Sequence, residues 1–168
     1  MANKMQLIID DKQLMQALLH APDKLVKNLD KAIDRSLREM ARDARGEAPK
    51  AFSQLVNSIN VERPNKLEGT VGPAVDYGRA VEEGTGVFGP EGVYSGEFPP
   101  IENIQDWVHR LGLTPNDPSY DEEDLAWAIA SEMALTGTQA QPYLAPAFEK
   151  NIDRAQRRFD RAIVVSLQ

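Results

Sequence analysis

Six apolar residues, Val26, Leu29, Ile33, Leu37, Met40 and Ala44, recur at intervals of 3, 4, 4, 3 and 4. That spacing puts all of them on one stripe of an α-helix. The opposite face reads Lys27, Asp30, Lys31, Asp34, Arg35, Arg38, Glu39 and Arg42. Pro22 and Asp23 open the pattern, and Gly46 and Pro49 close it. A helix from Asp23 to Ala48 is about 39 Å long at 1.5 Å per residue, enough to cross a small domain. In a chain of 168 residues, for which one domain is expected, the rest must pack around such a spine.

The other elements are shorter. Met5 to Ile9 predicts a strand, and Lys12 to Leu19 a brief helix that stops ahead of Ala21-Pro22, because the residue before proline disfavours helix. Phe52 to Val61 predicts a turn of helix passing into a strand. Asn60 to Arg63 and Leu67 to Val71 flank Pro64-Asn65, so an antiparallel hairpin is expected there. It runs directly into a corner, Gly69 to Gly86, with five glycines and a proline. Glycine supplies the positive φ angles that turns need. Within the corner, Val75, Tyr77, Ala80 and Val81 predict an extended approach and about one helical turn. Tyr77, Glu82 and Glu83 are then presented ahead of a glycine exit.

Val87 to Pro100 is too rich in glycine and proline for a regular element. Loops this long tend to be functional, and Phe88, Tyr94 and Phe98 argue for ordering on a partner rather than plain disorder. Ile101 to Leu111 returns to helix, with Ile101, Ile104, Val108 and Leu111 on one stripe and Gly112 at its end. Ser119-Tyr-Asp-Glu122 fits a capping box for the next helix, which is expected to bury Leu125, Ile129 and Met133 and to stop near Gly137. Gln141-Pro-Tyr-Leu leads into the last helix. Leu144, Phe148, Ile152, Ala155, Phe159 and Ile163 are its inner register, and Lys150, Arg154, Arg157, Arg158 and Arg161 its outer face.

Charge is unevenly spread. Asp76 to Asp124 holds two basic and twelve acidic residues, a net −10 in a chain of net −7. Such a middle repels nucleic-acid phosphates. There is no cysteine, which excludes disulfides and thiolate metal sites. Met1 to Ile9 lacks a signal-peptide core, and no run approaches the ~20 apolar residues of a membrane span. Cytoplasmic synthesis without export is therefore expected, with no membrane partner.

Catalytic motifs fail one by one. Gly84-Thr-Gly-Val-Phe-Gly89 has the spelling of a dinucleotide fingerprint, but Pro90-Glu-Gly follows where a helix must open. His20 and His109 are the only histidines and lie on different predicted helices, a poor basis for a hydrolase or a histidine-ligated zinc. The acidic group from Asp117 to Asp124 lacks the glycine of a calcium loop and is accounted for by helix capping. No catalytic, cofactor or metal site is expected.

Three segments carry a resemblance. They are Phe52-Ser-x-Leu-x-x-Ser-Ile59, then Gly69-Thr-Val-Gly-Pro through Asp76-Tyr-Gly-Arg-Ala-Val-Glu-Glu-Gly-Thr85, then Ala140-Gln-Pro-Tyr-Leu-Ala-Pro-Ala-Phe148. In this order the chain resembles the neck or tail-completion (head-to-tail joining) proteins of long-tailed bacteriophages. It departs from them at Pro49-Lys-Ala-Phe-Ser53, where Thr-Gly usually follows the proline, and at Glu83, where an aromatic is common.

The resemblance implies an α+β fold, with the long N-terminal amphipathic helix on a small curved antiparallel sheet and further helices in the C-terminal half. It implies no enzyme, but a virion protein at the head–tail junction. Its copies would form a ring, expected to be six-fold, between the head-to-tail connector and the tail-terminator or tail-tube proteins, with DNA passing nearby without specific binding. A head-to-tail ring needs two different patches per subunit. The candidates are Tyr77, Arg79, Glu82, Glu83 and Thr85 at the corner; Phe88, Tyr94 and Phe98 in the 86–100 loop; and Arg154, Arg157, Arg158 and Arg161 on the last helix. A tail-terminator ring is the alternative within the same morphogenesis, and a small acidic enzyme or DNA-mimicking inhibitor is the alternative of a different class.

Overall fold

The computed structural model describes residues 5–7, 23–50, 53–90 and 98–167. Ile8, Ile9, the Lys12 to Leu19 segment, His20, Phe52 and Tyr94 lie outside them. In chain order the elements are β1 (Met5–Leu7), α1 (Asp23–Glu47), α2 (Ser53–Ser58), β2 (Asn60–Asn65), β3 (Glu68–Gly72), α3 (Gly78–Glu83), a 3₁₀ turn (Gly86–Phe88), α4 (Ile101–Leu111), α5 (Glu122–Thr136) and α6 (Leu144–Leu167). The fold is α+β. The sheet has three antiparallel strands in the order β1-β3-β2.

The stripe on α1 buries Leu29, Ile33, Leu37, Met40 and Ala44, and a second row, Ala32, Ser36 and Ala41, is buried beside it. Two buried faces mean two partners. Ile33, Leu37, Met40 and Ala44 belong to the core formed with Leu55, Ile59 and Val71 and with Tyr143, Leu144 and Ala147 of the last helix and its approach. The small residues of the second row let α6 approach closely along most of its length. The helix ends at Glu47, one residue short of the expected limit, and Gly46 lies inside it. Pro49 comes just after the last turn and prevents its continuation.

The hairpin turn is Lys66-Leu67 rather than Pro64-Asn65. Asn65 begins it, its Oδ1 accepting the Leu67 N–H at 3.0 Å and its Nδ2 donating to Glu68 at 2.7 Å. Pro64 falls where the β2–β3 register shifts between Glu62 and Asn65. An edge strand tolerates that, since proline has no N–H to give a neighbour. Arg63 ties the hairpin to α1 through Asp30 at 2.5 Å and Asp34 at 3.7 Å. Arg45 donates from two nitrogens to the Ile59 carbonyl.

A second, smaller core lies between α4 and α5, built from Ile104, Val108, Ala126 and Ala130. Here the expectation for α5 is off by one position. Leu125, Ile129 and Met133 pack half-buried at the edge of this core, and Ala126 and Ala130 lie fully inside it against Ile104 and Val108. The cap also differs. Asp121, not Ser119, is the N-cap, accepting the N–H groups of Glu123 and Asp124, while Asp124 reaches back to the Asp121 N–H. Gly112 ends α4 in the left-handed conformation. On α6, Ile152 is exposed and Asn151 is buried in its place.

Glu39 and Asp43 on α1 face the cations of α6. Glu39 lies 2.5 Å from Arg158 and 3.5 Å from Arg154, and Asp43 accepts from Asn151 at 2.8 Å with Lys150 at 3.7 Å. The hydrogen bond from Arg158 holds the Glu39 carboxyl below its ordinary range, against partial burial. The Asn151 amide does the same for Asp43. A carboxyl depressed in the folded state contributes stability that is complete above its unfolded value and is lost as pH falls through the folded one. Thermal unfolding between about pH 6 and 3 is therefore expected to show a smaller loss of Tm in Glu39→Gln than in the wild type.

Candidate functional site

The corner follows β3. Ala74 N–H bonds the Ser58 carbonyl at 3.1 Å and Gly78 N–H the Val75 carbonyl at 3.2 Å, which turns the chain into α3. At its far end Gly84 has φ 78°, and a Cβ there would come within 2.9 Å of the Ala140 nitrogen and the Thr138 carbonyl oxygen. Glycine is needed both for the angle and for the approach. The approaching segment is the one that precedes α6.

Gln141 N–H donates to the Val81 carbonyl at 2.8 Å, and Thr85 N–H to the Thr138 carbonyl at 2.9 Å. Thr138 N–H returns a bond to the Thr85 hydroxyl at 2.8 Å, and the two threonine hydroxyls are 3.0 Å apart. Glu82 then takes three N–H groups on one carboxylate: Tyr143 at 2.7 Å and Leu144 at 2.8 Å on Oε2, and Ala145 at 2.9 Å on Oε1. The first four N–H positions of a helix have no partner within it. For α6 these are Tyr143, Leu144, Ala145 and Pro146. Glu82 satisfies three, and the fourth is a proline with no N–H to give. The carboxylate also sits at the positive end of a 24-residue helix, where negative charge is favoured.

Tyr143 is fully buried and its hydroxyl donates to the Gly78 carbonyl at 3.2 Å. Burial, with the Glu82 and Tyr77 charges adding to it, raises its pKa, so the hydroxyl keeps its proton and remains a donor. Tyr77 is half-buried. Its hydroxyl meets the Leu55 backbone, and burial again raises its pKa. It lines a small hollow with Ser53, Trp107 and Arg110, where Arg110 bonds the Ser53 hydroxyl.

The candidates thus divide. Glu82 and Thr85 bond within the chain, and Tyr77 packs between α2 and α4. Arg79 and Glu83 form an i,i+4 pair at 2.8 Å on the outer side of α3. Phe88 and Phe98 are about half exposed, and Phe98 meets the exposed Trp127 with ring centroids 5.9 Å apart. Arg158 is drawn in against Glu39, while Arg154 also reaches Glu39 but stays exposed. Among the described residues, Arg157 and Arg161 are exposed with no carboxylate in ion-pair range. Thr138 and Tyr143 were not among the expected site residues. A signal for them was present: Gln141-Pro-Tyr-Leu contains no serine, threonine, aspartate or asparagine to cap the helix it opens, so the cap must come from elsewhere.

His109 pairs with Glu122 at 3.3 Å on the surface. Among the described residues no group of three or more His, Cys, Asp or Glu side chains could hold a metal ion, and no helix is long and apolar enough to cross a membrane. Comparison with protein-family models, curated proteins and solved structures gave no match to this chain.

Removing the Glu82 carboxylate leaves three N–H groups at a partly buried helix start without an acceptor. Glu82→Ala is expected to lower unfolding stability by about 1–3 kcal/mol. Glu83→Gln, which loosens a more exposed pair, should cost less than about 1 kcal/mol. Urea denaturation of the two variants beside the wild type checks the ordering.

Proposed function

We propose that the chain is a structural virion protein of a tailed phage, a neck or tail-completion protein that joins the tail to the DNA-filled head as a ring around the DNA channel. The observation that carries this reading is the contact between Glu82 and the N–H groups of Tyr143, Leu144 and Ala145. The second and third segments of the resemblance, some sixty residues apart in sequence, are two halves of one device. A glutamate at the end of the corner and a Gln-Pro-Tyr-Leu-Ala-Pro helix start are needed together. This makes their co-occurrence more than two unrelated strings.

The surface supports the same reading. Apolar side chains stand exposed at Val87, Phe88, Phe98, Trp127 and Leu135, all near the corner or on the helix that packs against it, which is the character of a face covered on assembly. The −10 middle of the chain suits a protein that lies near DNA without gripping it.

The test is electron microscopy of lysates from the encoding phage with this gene stopped by an early nonsense codon. The expected result is DNA-filled heads beside complete, unattached tails. Overlong tails would point instead to a tail terminator, and normal infectious virions would overturn the structural role and favour an enzyme or inhibitor.

A further inference from the structure

Away from the corner, the N-terminal half of α1 and the C-terminal half of α6 line an open groove of about 490 Å³. Lys31 and Arg35 come from α1, and Arg154, Arg157, Arg158 and Arg161 from α6. One carboxylate, Glu39, serves Arg35, Arg154 and Arg158. Asp30 is turned to Arg63 on the hairpin side, and Asp34 to Arg38 at 2.8 Å and Arg63 at 3.7 Å. Among the described residues, Lys31, Arg157 and Arg161 have no carboxylate within ion-pair distance. Six cations around one anion repel one another, so in a chain of net charge −7 this concentration stands out as a binding surface for negative charge.

We propose that this groove receives the acidic segment at the start of α5 from a second copy of the chain. Asp117, Asp121, Glu122, Glu123 and Asp124 are all exposed on that segment. Glu122 pairs with His109 at the end of α4, and the adjacent Arg110 bonds Ser53, just past the C-terminal end of α1, while the groove is lined by the N-terminal half of α1. Within one chain the segment and the groove therefore lie apart along α1. The complementary surfaces are different and separate, which is what joining subunits head to tail requires. The proposal rests on the ring reading above and names the polar contact that would close such a ring. Phosphate groups of DNA are the competing occupant of the same groove, opposed by the acidic remainder of the surface.

The experiment uses two full-length variants, one with Arg157→Glu and Arg161→Glu in the groove, the other with Glu122→Lys and Glu123→Lys on the segment. Asp121 and Asp124, which cap α5, are left in place. Sedimentation at low salt is expected to show wild-type self-association, weakened by about tenfold or more in each variant alone. Mixed in equal amounts, the two variants should associate again, since each offers the charge the other now lacks. That recovery cannot arise from misfolding. A mixture that stays as dissociated as its parts, or single variants that associate like the wild type, would overturn the pairing and leave the ring reading to the lysate microscopy. Binding of a short DNA duplex by the wild type at physiological salt, lost in the groove variant, would overturn it in favour of nucleic acid.

Discussion

A helix that opens Tyr-Leu-Ala-Pro has no side chain of its own to receive its first N–H groups. In this chain the acceptor is Glu82, which lies on a six-residue helix and reaches three amides at the start of the 24-residue α6. Much else depends on that contact. It fixes where α6 begins, and so its register against α1. It also seats Tyr143 in the core, where the side chain bridges to Gly78, and holds the 138–141 segment beside Val81 and Thr85. Without it the bonds of Gln141 and Thr138 would still hold the approach segment, but the first turn of α6 itself would be tied to the corner only by the Tyr143 hydroxyl and apolar packing, which is poorly directional.

Alignment matters because the α1–α6 seam has polar as well as apolar register. Ser36, Glu39 and Asp43 meet Arg158, Arg154 and Asn151 in turn. A shift of α6 by one residue would separate each pair. The same seam decides which basic residues remain outward. Arg154 and Arg158 are held by Glu39, and Arg157 and Arg161 point to the groove. All four arginines line the same groove, two of them already engaged by Glu39.

The sequence spoke most clearly where local periodicity decides structure. The α1 stripe, the limits of α4 and the glycine stops at Gly112 and Gly137 all arise from residues within a few positions of one another. It spoke less clearly where two local signals compete. Ser119 and Asp121 both suit an N-cap with an acidic residue three positions on; the Ser119 hydroxyl and N–H are taken by Asp117, and Asp121 forms the reciprocal bonds with Asp124. It was silent on tertiary choices. Nothing near Ala126 or Ala130 reveals that these two residues face α4, and nothing near Arg158 names Glu39. Glu82 is the instructive case. The corner sequence marks it as a presented carboxylate, but its purpose is written some sixty residues away, as a helix start without a cap.

These features make the corner and the last helix parts of one arrangement. The claim beneath it is that one carboxylate organises the junction of corner and helix. Amide hydrogen exchange of the wild type and Glu82→Ala tests this most directly. In the wild type the amides of Tyr143, Leu144 and Ala145 should exchange as slowly as those around Leu37. In the variant they should open locally and exchange about tenfold faster or more, while α1 changes little. Equal protection of those three amides in the two proteins would contradict the account.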